Sequence, residues 1–258
     1  MSSFRVTDTD IRYINLDERT DRRTHMEAEL SKAGITAERF RGRRPEEWKG
    51  DMDSISKMIH RRHQFWPEGN LGCYLSHTTL MKQQADRRPG RHLLAIEDDC
   101  CLADDFTERL KYLEDHLTWD WDCIFLGATF HTKPAVWHRA TLGRDAECTS
   151  DPHIMRAYGV WCSYCWIINA GSIAKLLELF DREKHRSYAI DHLQILVEPE
   201  LQAYVMVPGA AWQMDDRSSI LGVHQVFSRF KPMLGPYVWT SRMTDFDPRS
   251  YDWGECRV

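Results

Sequence analysis

The sequence predicts an α/β protein: a mixed, mostly parallel central sheet flanked by helices. Three observations carry that prediction. Short apolar runs recur along the chain, at His92–Ile96, Asp122–Ala128 and Ala203–Pro208, each of a length suited to a buried strand. Segments between them carry apolar residues at helical spacing. The chain has 258 residues, enough to bury one full core.

Taken in order, Ile11–Leu16 is β-prone and leads into the polar stretch from Asp17 to Arg23. Thr20 or Asp21 is a suitable helix N-cap, Met26, Leu30 and Ala33 follow at helical spacing, and Gly34 supplies the stop. This order places Arg19, Arg22 and Arg23 near a helix N-terminus at the sheet's edge, where guanidinium forks and backbone N–H groups suit phosphate oxygens. An exposed basic first turn is the plain alternative, although cations there oppose the helix dipole. From Phe40 to Asn70 the chain is polar and irregular, and only a short helix near Asp53–Arg62 is expected. Gly72 then leads a helix running to Ala85, with Ser76 and His77 placed to touch a ligand or to hold a neighbouring turn.

The stretch His92–Phe106 organises the chain. Its apolar strand ends in three adjacent carboxylates, Glu97, Asp98 and Asp99, and Asp104 or Asp105 then caps a helix with Phe106, Leu110, Leu113 and Leu117 on one face. Ligand crevices of open α/β sheets lie outside the carboxyl ends of strands, where this acidic cluster falls. Alternation along an extended segment would send Glu97 and Asp99 to one side and Asp98 to the other. Two hard oxygen ligands on one side suit Mg²⁺ or Mn²⁺, whose remaining positions go to water and substrate phosphate. A solvated acidic turn is the bland alternative.

Beyond it, Asp122–Ala128 reads as another buried strand, and Thr129–Arg156 as a long polar loop on the acceptor side or a lid. Tyr158–Asn169 is aromatic and β-prone, and Gly171-Ser172 caps a helix with Ile173, Leu176, Leu177 and Phe180 on one face. Asp191 and His192 sit side by side before an apolar stretch, and Ala203–Pro208 is the last expected strand. The expected organisation is a catalytic domain over residues 1–223 and a packed tail over 224–258.

A net charge of −5 argues against general nucleic-acid binding, despite basic clusters at Arg41–Arg44 and His60–His63. Eight cysteines in a chain of this size do not form a disulfide framework. Cys73, Cys123, Cys162 and Cys165 read as small core residues, and Cys162-x-x-Cys165 lacks the second pair a zinc site needs. No signal peptide or membrane-spanning run is present, so a cytoplasmic protein is expected.

The motifs INLDERTDRR, GCYLSH, LLAIEDDCCLADDF, DCIFLG, Asn169-Ala170-Gly171 and AIDHL occur in one order over roughly residues 11–220. Together they resemble glycosyltransferase family 25, the lipooligosaccharide and collagen galactosyltransferase type. The resemblance implies a GT-A-like, Rossmann-type nucleotide-sugar-binding fold. It also implies inverting transfer of a hexose or pentose from a UDP-sugar, with Mn²⁺ (or Mg²⁺), to a glycan or glycoprotein hydroxyl. On matching positions it places Asp99 as the direct metal ligand with Glu97 as its partner; apart from the resemblance, His224 is a candidate third ligand, with a structural histidine the plain alternative. It places Asn15, Leu16, Asp17, Arg22, Arg23, Gly72, Ser76, His77 and Asp98 around the donor, and Asp191 as the base. Asp191 has a plain alternative as N-cap of a helix beginning at His192. One departure stands out: where the family often carries Ser-Asp-Ile, this chain has Ser218-Ser219-Ile220, leaving Asp215 or Asp216 as substitutes. Other readings are a metal-dependent phosphoryl or nucleotidyl transferase, a DNA-base-directed glycosyltransferase, and a nucleotide-sugar-binding module without catalysis.

Overall fold

The computed structural model of the chain describes residues 4–48, 69–131, 146–151, 153–158, 160, 163–185, 188–214 and 238–240. Its centre is an eight-stranded sheet. The strands are β1 (Thr9–Asn15), β2 (Glu38–Arg41), β3 (His92–Glu97), β5 (Cys123–Phe125), β7 (Ala146–Cys148), β8 (Ile154–Ala157), β9 (Cys165–Ile168) and β10 (Ala203–Met206), in the order β2-β1-β3-β9-β5-β10-β8-β7. β1 pairs parallel with β2 and β3, and β5 parallel with β10. β9 runs antiparallel between β3 and β5, and β8 antiparallel between β10 and β7. The other six strands therefore share one direction, as the sequence predicts. Two small antiparallel sheets accompany it: β4 (Cys100–Leu102) with β11 (Ala211–Gln213), and β6 (Thr129–His131) with β12 (Val238–Thr240).

The central strands are apolar on both faces because both faces are covered. Along β3, Leu93 and Ala95 enter one core while Leu94 and Ile96 enter the other. The same alternation holds in β9, with Trp166 and Ile168 against Cys165 and Ile167. Helices α2 (Gly69–Arg87), α4 (Ile173–Glu183) and α5 (Ile190–Val197) cover the first face through Leu71, Leu80, Met81, Leu176, Phe180 and Leu193. Helices α1 (Thr20–Lys32) and α3 (Phe106–His116) cover the second through Met26, Leu30, Phe106, Leu110 and Leu113. Each such side chain, fully buried, is worth roughly 1.5–3 kcal/mol. The result is three layers, helix on sheet on helix.

Several local expectations change. The N-cap of α1 is Arg19, not Thr20 or Asp21, because Asp21 is held by Arg19 Nε at 3.0 Å. Gly34 does end that helix, at φ +65°. β2 was not expected: its sequence, Glu-Arg-Phe-Arg, is mostly charged, as suits a sheet edge, and only Phe40 is buried. The segment expected as a loop over Thr129–Arg156 contains β6, β7 and most of β8. Asp105 is the N-cap of α3, although its carboxylate receives Arg109 Nε at 2.7 Å and makes no bond to the helix's own N–H groups. The helix expected near Asp53–Arg62, Cys162 and the boundary between residues 223 and 224 lie outside the described residues. Among the described residues no helix is long and apolar enough to cross a membrane.

β11, also unexpected, follows the last strand of the main sheet and lies against β4, with Gln213 opposite Cys100. Gly127 permits this. A Cβ there would meet the Ala211 carbonyl oxygen at 2.1 Å and the Tyr164 ring at 2.7 Å. Gly127→Ala is therefore expected to destabilise the fold by about 1–3 kcal/mol, through overpacking against backbone. Urea unfolding of the two proteins checks this, and an unchanged midpoint would show that β11 is free to move aside.

Candidate active site

The site begins with register. β1 and β3 are parallel neighbours with Ile14 opposite Glu97, so their carboxyl ends lie side by side. Asn15, the last residue of β1, is buried and fully used. Its amide donates to Asp98 Oδ2 at 2.7 Å and to the Arg19 carbonyl at 3.0 Å, while its oxygen accepts from Arg39 Nε at 2.9 Å. The tight entry into α1 then directs Arg22 inward. Arg22 Nη1 reaches Asp99 Oδ2 at 2.8 Å and Asp98 Oδ1 at 3.3 Å, with all three side chains nearly excluded from water. Gln213 Nε2 adds a bond to Asp99 Oδ2 at 3.0 Å, and the Met214 N–H caps the Asp99 carbonyl at 2.8 Å.

Burial raises the pKa of Asp98 despite the Asn15 bond and the Arg22 charge. Asp99 rises to about 6, pushed by burial and by the charge of Glu97 and pulled back by Arg22. Its Oδ1 is buried with no hydrogen-bond partner among the described residues. That atom is an unmet demand for a donor or a cation.

Glu97 goes elsewhere. Its Oε1 receives Ser163 Oγ at 2.9 Å and Cys73 Sγ at 3.8 Å, and lies 3.0 Å from His77 Nε2. Burial raises its pKa, but the bond and charge of His77, with Ser163, bring it below the usual value. The expected alternation, with Glu97 and Asp99 together and Asp98 apart, is therefore not what forms. The strand ends at Glu97 and the chain turns at Asp98-Asp99, so both aspartates share Arg22 while Glu97 faces α2.

A cleft of about 410 Å³ opens beside these groups. It is walled by the end of β1, the loop Gly42–Glu46, the first turns of α2 and the end of β3, with Arg19, Arg22, Arg43 and Arg44 contributing positive charge. All four are already paired: Arg19 with Asp21 at 2.8 Å, Arg22 with Asp98 and Asp99, Arg43 with Glu47 at 2.9 Å and Arg44 with Glu18. Ser76 pins the loop by accepting the Arg43 N–H at 2.7 Å and donating to the Gly72 carbonyl at 2.7 Å. Gly72 lets the loop approach: a Cβ there would stand 2.9 Å from the Arg43 carbonyl oxygen.

Of the residues singled out in the sequence, Leu16, Arg22, Gly72, Ser76, His77, Glu97 and Asp98 line this cleft. Asn15 and Asp99 lie buried next to it. Asp17 is exposed and paired with Arg39, whose hydrogen bond lowers its pKa. Arg23 is exposed and bound to Glu27 at 2.8 Å, so it does not reach the cleft. Asp191 is not an N-cap: Ala189 holds that position, and Asp191 lies in the first turn of α5 with His192 N–H on its Oδ1 at 2.9 Å. Burial lifts its pKa to about 6, with the Glu97 charge adding and the His192 backbone bond and His77 opposing. His224, Asp215, Asp216 and Ser219 lie outside the described residues. Sequence reasoning missed Cys73, Ser163, Gln213 and Arg39. Only Cys73 left a signal, since Cys73 and His77 stand four apart on one helix face.

The sequence from residue 9 to 193 matches the family model described as "Glycosyltransferase family 25 (LPS biosynthesis protein)". The chain belongs to glycosyltransferase family 25. The matched span runs from β1 into α5 and includes Asn15, Arg22, the acidic triplet and Asp191. A curated relative, "Putative glycosyltransferase R655" of Acanthamoeba polyphaga mimivirus, is 29% identical over 140 residues, which cover 54% of this chain and 43% of that protein's length. Among solved structures, a glycosyltransferase involved in glycosylating the major capsid of PBCV-1 aligns at TM-score 0.42 and 10% identity, over 76% of this chain and 80% of that one. The structure titled "Putative Glucose-1-Phosphate Thymidylyltransferase from Bacillus anthracis" aligns at TM-score 0.39 and 10% identity, over 88% and 95%.

Arg22 is the charge on which this family 25 site balances. Removing one partner from a buried ion pair typically costs about 3–5 kcal/mol, and Arg22→Ala is expected to fall in that range at pH 7. The loss should shrink at pH 5. Asp99 has a folded pKa of about 6 against an ordinary 3.8, so its protonation favours the fold, and that contribution is lost as pH rises through about 6. Without the guanidinium both aspartates protonate more readily still. Urea unfolding at the two pH values tests the sign; an equal loss at both would contradict it.

Proposed function

We propose that this family 25 chain is an inverting, metal-dependent glycosyltransferase. In this reading it moves a hexose or pentose from a UDP-sugar to a hydroxyl of a glycan or glycoprotein acceptor. The observation that carries the reading is one arrangement. An arginine-lined cleft ends against three carboxylates at a strand's carboxyl edge, and a fourth, Asp191, stands within electrostatic reach of Glu97. Arg19, Arg22 and the Gly42–Glu46 loop suit a nucleoside diphosphate, whose oxygens need cationic and N–H donors.

Asp99 suits Mn²⁺ or Mg²⁺, because it offers a buried hard oxygen with no partner among the described residues; Glu97, which turns toward α2, is the second carboxylate assigned to the ion and would reach it by rotating from His77. Bound there, the cation would act as a Lewis acid towards the charge that develops on the leaving diphosphate. The chain's own residues do the rest. Arg22 fixes Asp98 and Asp99, and Asn15 fixes Asp98 to the end of β1. Asp191 takes the proton from the acceptor hydroxyl as that oxygen attacks the anomeric carbon and the nucleoside diphosphate departs from the opposite face. A carboxylate with a pKa of about 6 is a stronger base than an ordinary one and is still ionised at neutral pH.

Two measurements test this. UDP with Mn²⁺ at about 100 times its dissociation constant should stabilise the chain by roughly 2.7 kcal/mol, visible as a thermal shift. Asp191→Asn should retain that shift while lowering turnover by about 10²–10⁴-fold. In the wild type, the rate should fall as pH drops through about 6, because the base must be ionised. No shift with any nucleoside diphosphate would overturn the donor assignment, and near-normal turnover in Asp191→Asn would place the base elsewhere.

A further inference from the structure

Beyond the nucleotide reading, we propose that Cys73, His77 and Glu97 form a binding site for a thiophilic divalent cation such as Zn²⁺, set in the wall of the same cleft. The three candidate ligand atoms, Sγ, a ring nitrogen and a carboxylate oxygen, all lie within 4.8 Å of one another. All three residues line the cleft, which gives an ion a route in and leaves a fourth position for water or a phosphate oxygen.

The separations can be compared with what an ion requires. Tetrahedral zinc with bonds of the usual length holds N and O ligands about 3.4 Å apart and S and O about 3.6 Å apart. Here His77 Nε2 to Glu97 Oε1 is 3.0 Å and Cys73 Sγ to the same oxygen is 3.8 Å. Each differs by a few tenths of an ångström, within the reach of small side-chain rotations. Two of the ligands come from one helix, four residues apart, and the third from the end of a buried strand, so the backbone already fixes their spacing. Ser163 Oγ, at 2.9 Å from Glu97 Oε1, supplies the outer hydrogen bond that orients a ligating carboxylate.

The donor set selects the ion. A thiolate and an imidazole favour Zn²⁺ and Co²⁺ over Mg²⁺ or Mn²⁺, which prefer oxygen. Binding releases the Cys73 thiol proton to solvent, requires the proton that His77 Nε2 holds toward Glu97 to pass to Nδ1 or to solvent, and uses the ionised Glu97. Glu97 is also one of the two carboxylates assigned to the hard cation above, so the two ions exclude one another at that residue.

The test uses the full chain, freed of metal with a chelator, under reducing and oxygen-free conditions and without nucleotide. Co²⁺ is added and the near-ultraviolet charge-transfer band of a cobalt–thiolate bond is followed. The expected result is a band that saturates at one ion per chain and is abolished by excess Zn²⁺. Cys73→Ser should remove it, whereas Cys101→Ser, which changes the thiol beside His25, should keep it. His77→Gln keeps the thiol and so guards against a folding defect at Cys73. It should weaken binding by more than about 100-fold, since even an outer-sphere partner is typically worth 10–100-fold. No band in the wild type, or a band that survives Cys73→Ser, overturns the site. None of these readouts requires turnover, so failure here is distinct from failure of the UDP-sugar reading.

Discussion

The structure depends on one guanidinium placed between two buried carboxylates. Glu97, Asp98 and Asp99 follow directly on an apolar strand, and three like charges at a buried sheet edge would not tolerate one another unaided. Arg22 binds both aspartates, and Asn15 and Gln213 add neutral hydrogen bonds. Each of these three comes from a different element, α1, β1 and β11. The charge balance therefore constrains where α1 starts, how β1 registers on β3, and why β11 must return to lie beside β4. Even so, the compensation is incomplete, since Asp99 retains a raised pKa and an oxygen with no partner among the described residues. That residual negative charge lies buried beside the cleft, where the proposed cation would use it.

The triplet also divides its work. Asp98 and Asp99 turn toward α1, while Glu97 turns toward α2, where Cys73 and His77 wait. Glu97 is the hinge of the electrostatics, because its charge contributes to the raised pKa of both Asp99 and Asp191. One carboxylate thus links the proposed cation, the proposed base and the Cys73–His77 pair. Neutralising it would shift all three together, whereas neutralising Asp98 would chiefly weaken its bond to Asn15, since Arg22 keeps its closer contact with Asp99.

Much of this was legible in the sequence, for identifiable reasons. Strands buried on both faces, such as β3 and β10, announce themselves as continuous apolar runs. Amphipathic helices such as α3 show Phe106, Leu110 and Leu113 at the right spacing. Short polar strands do not announce themselves: β2 is a charged edge with Phe40 alone buried, and β11 has three residues whose identity is set by what lies across from them. Within the site, the acidic triplet was visible because it interrupts an apolar run. Its geometry was not, since alternation holds only while a chain stays extended, and this one turns at Asp98. Gln213 lies over 100 residues from Asp99 in sequence, and no local pattern connects them. Cys73 does pack against the core, as cysteine usually does, and its further contact with Glu97 appears only in three dimensions.

Helix α2 shows how the core sets the site. Gly72 and Ser76 hold the Gly42–Glu46 loop, and Cys73 and His77 hold Glu97, so two functional pairs sit one residue apart on adjacent stripes of one helix. A turn of the helix by a single residue, roughly 100°, would break both pairs at once. The hydrogen bonds of those pairs resist that rotation, and so does the next turn of the same face, where Leu80 and Met81 are fully buried, together with Leu71 beneath the first turn. The positions of both pairs are thus set partly by apolar packing further along the same helix. A substitution in that packing would reach the cleft through the angle of α2.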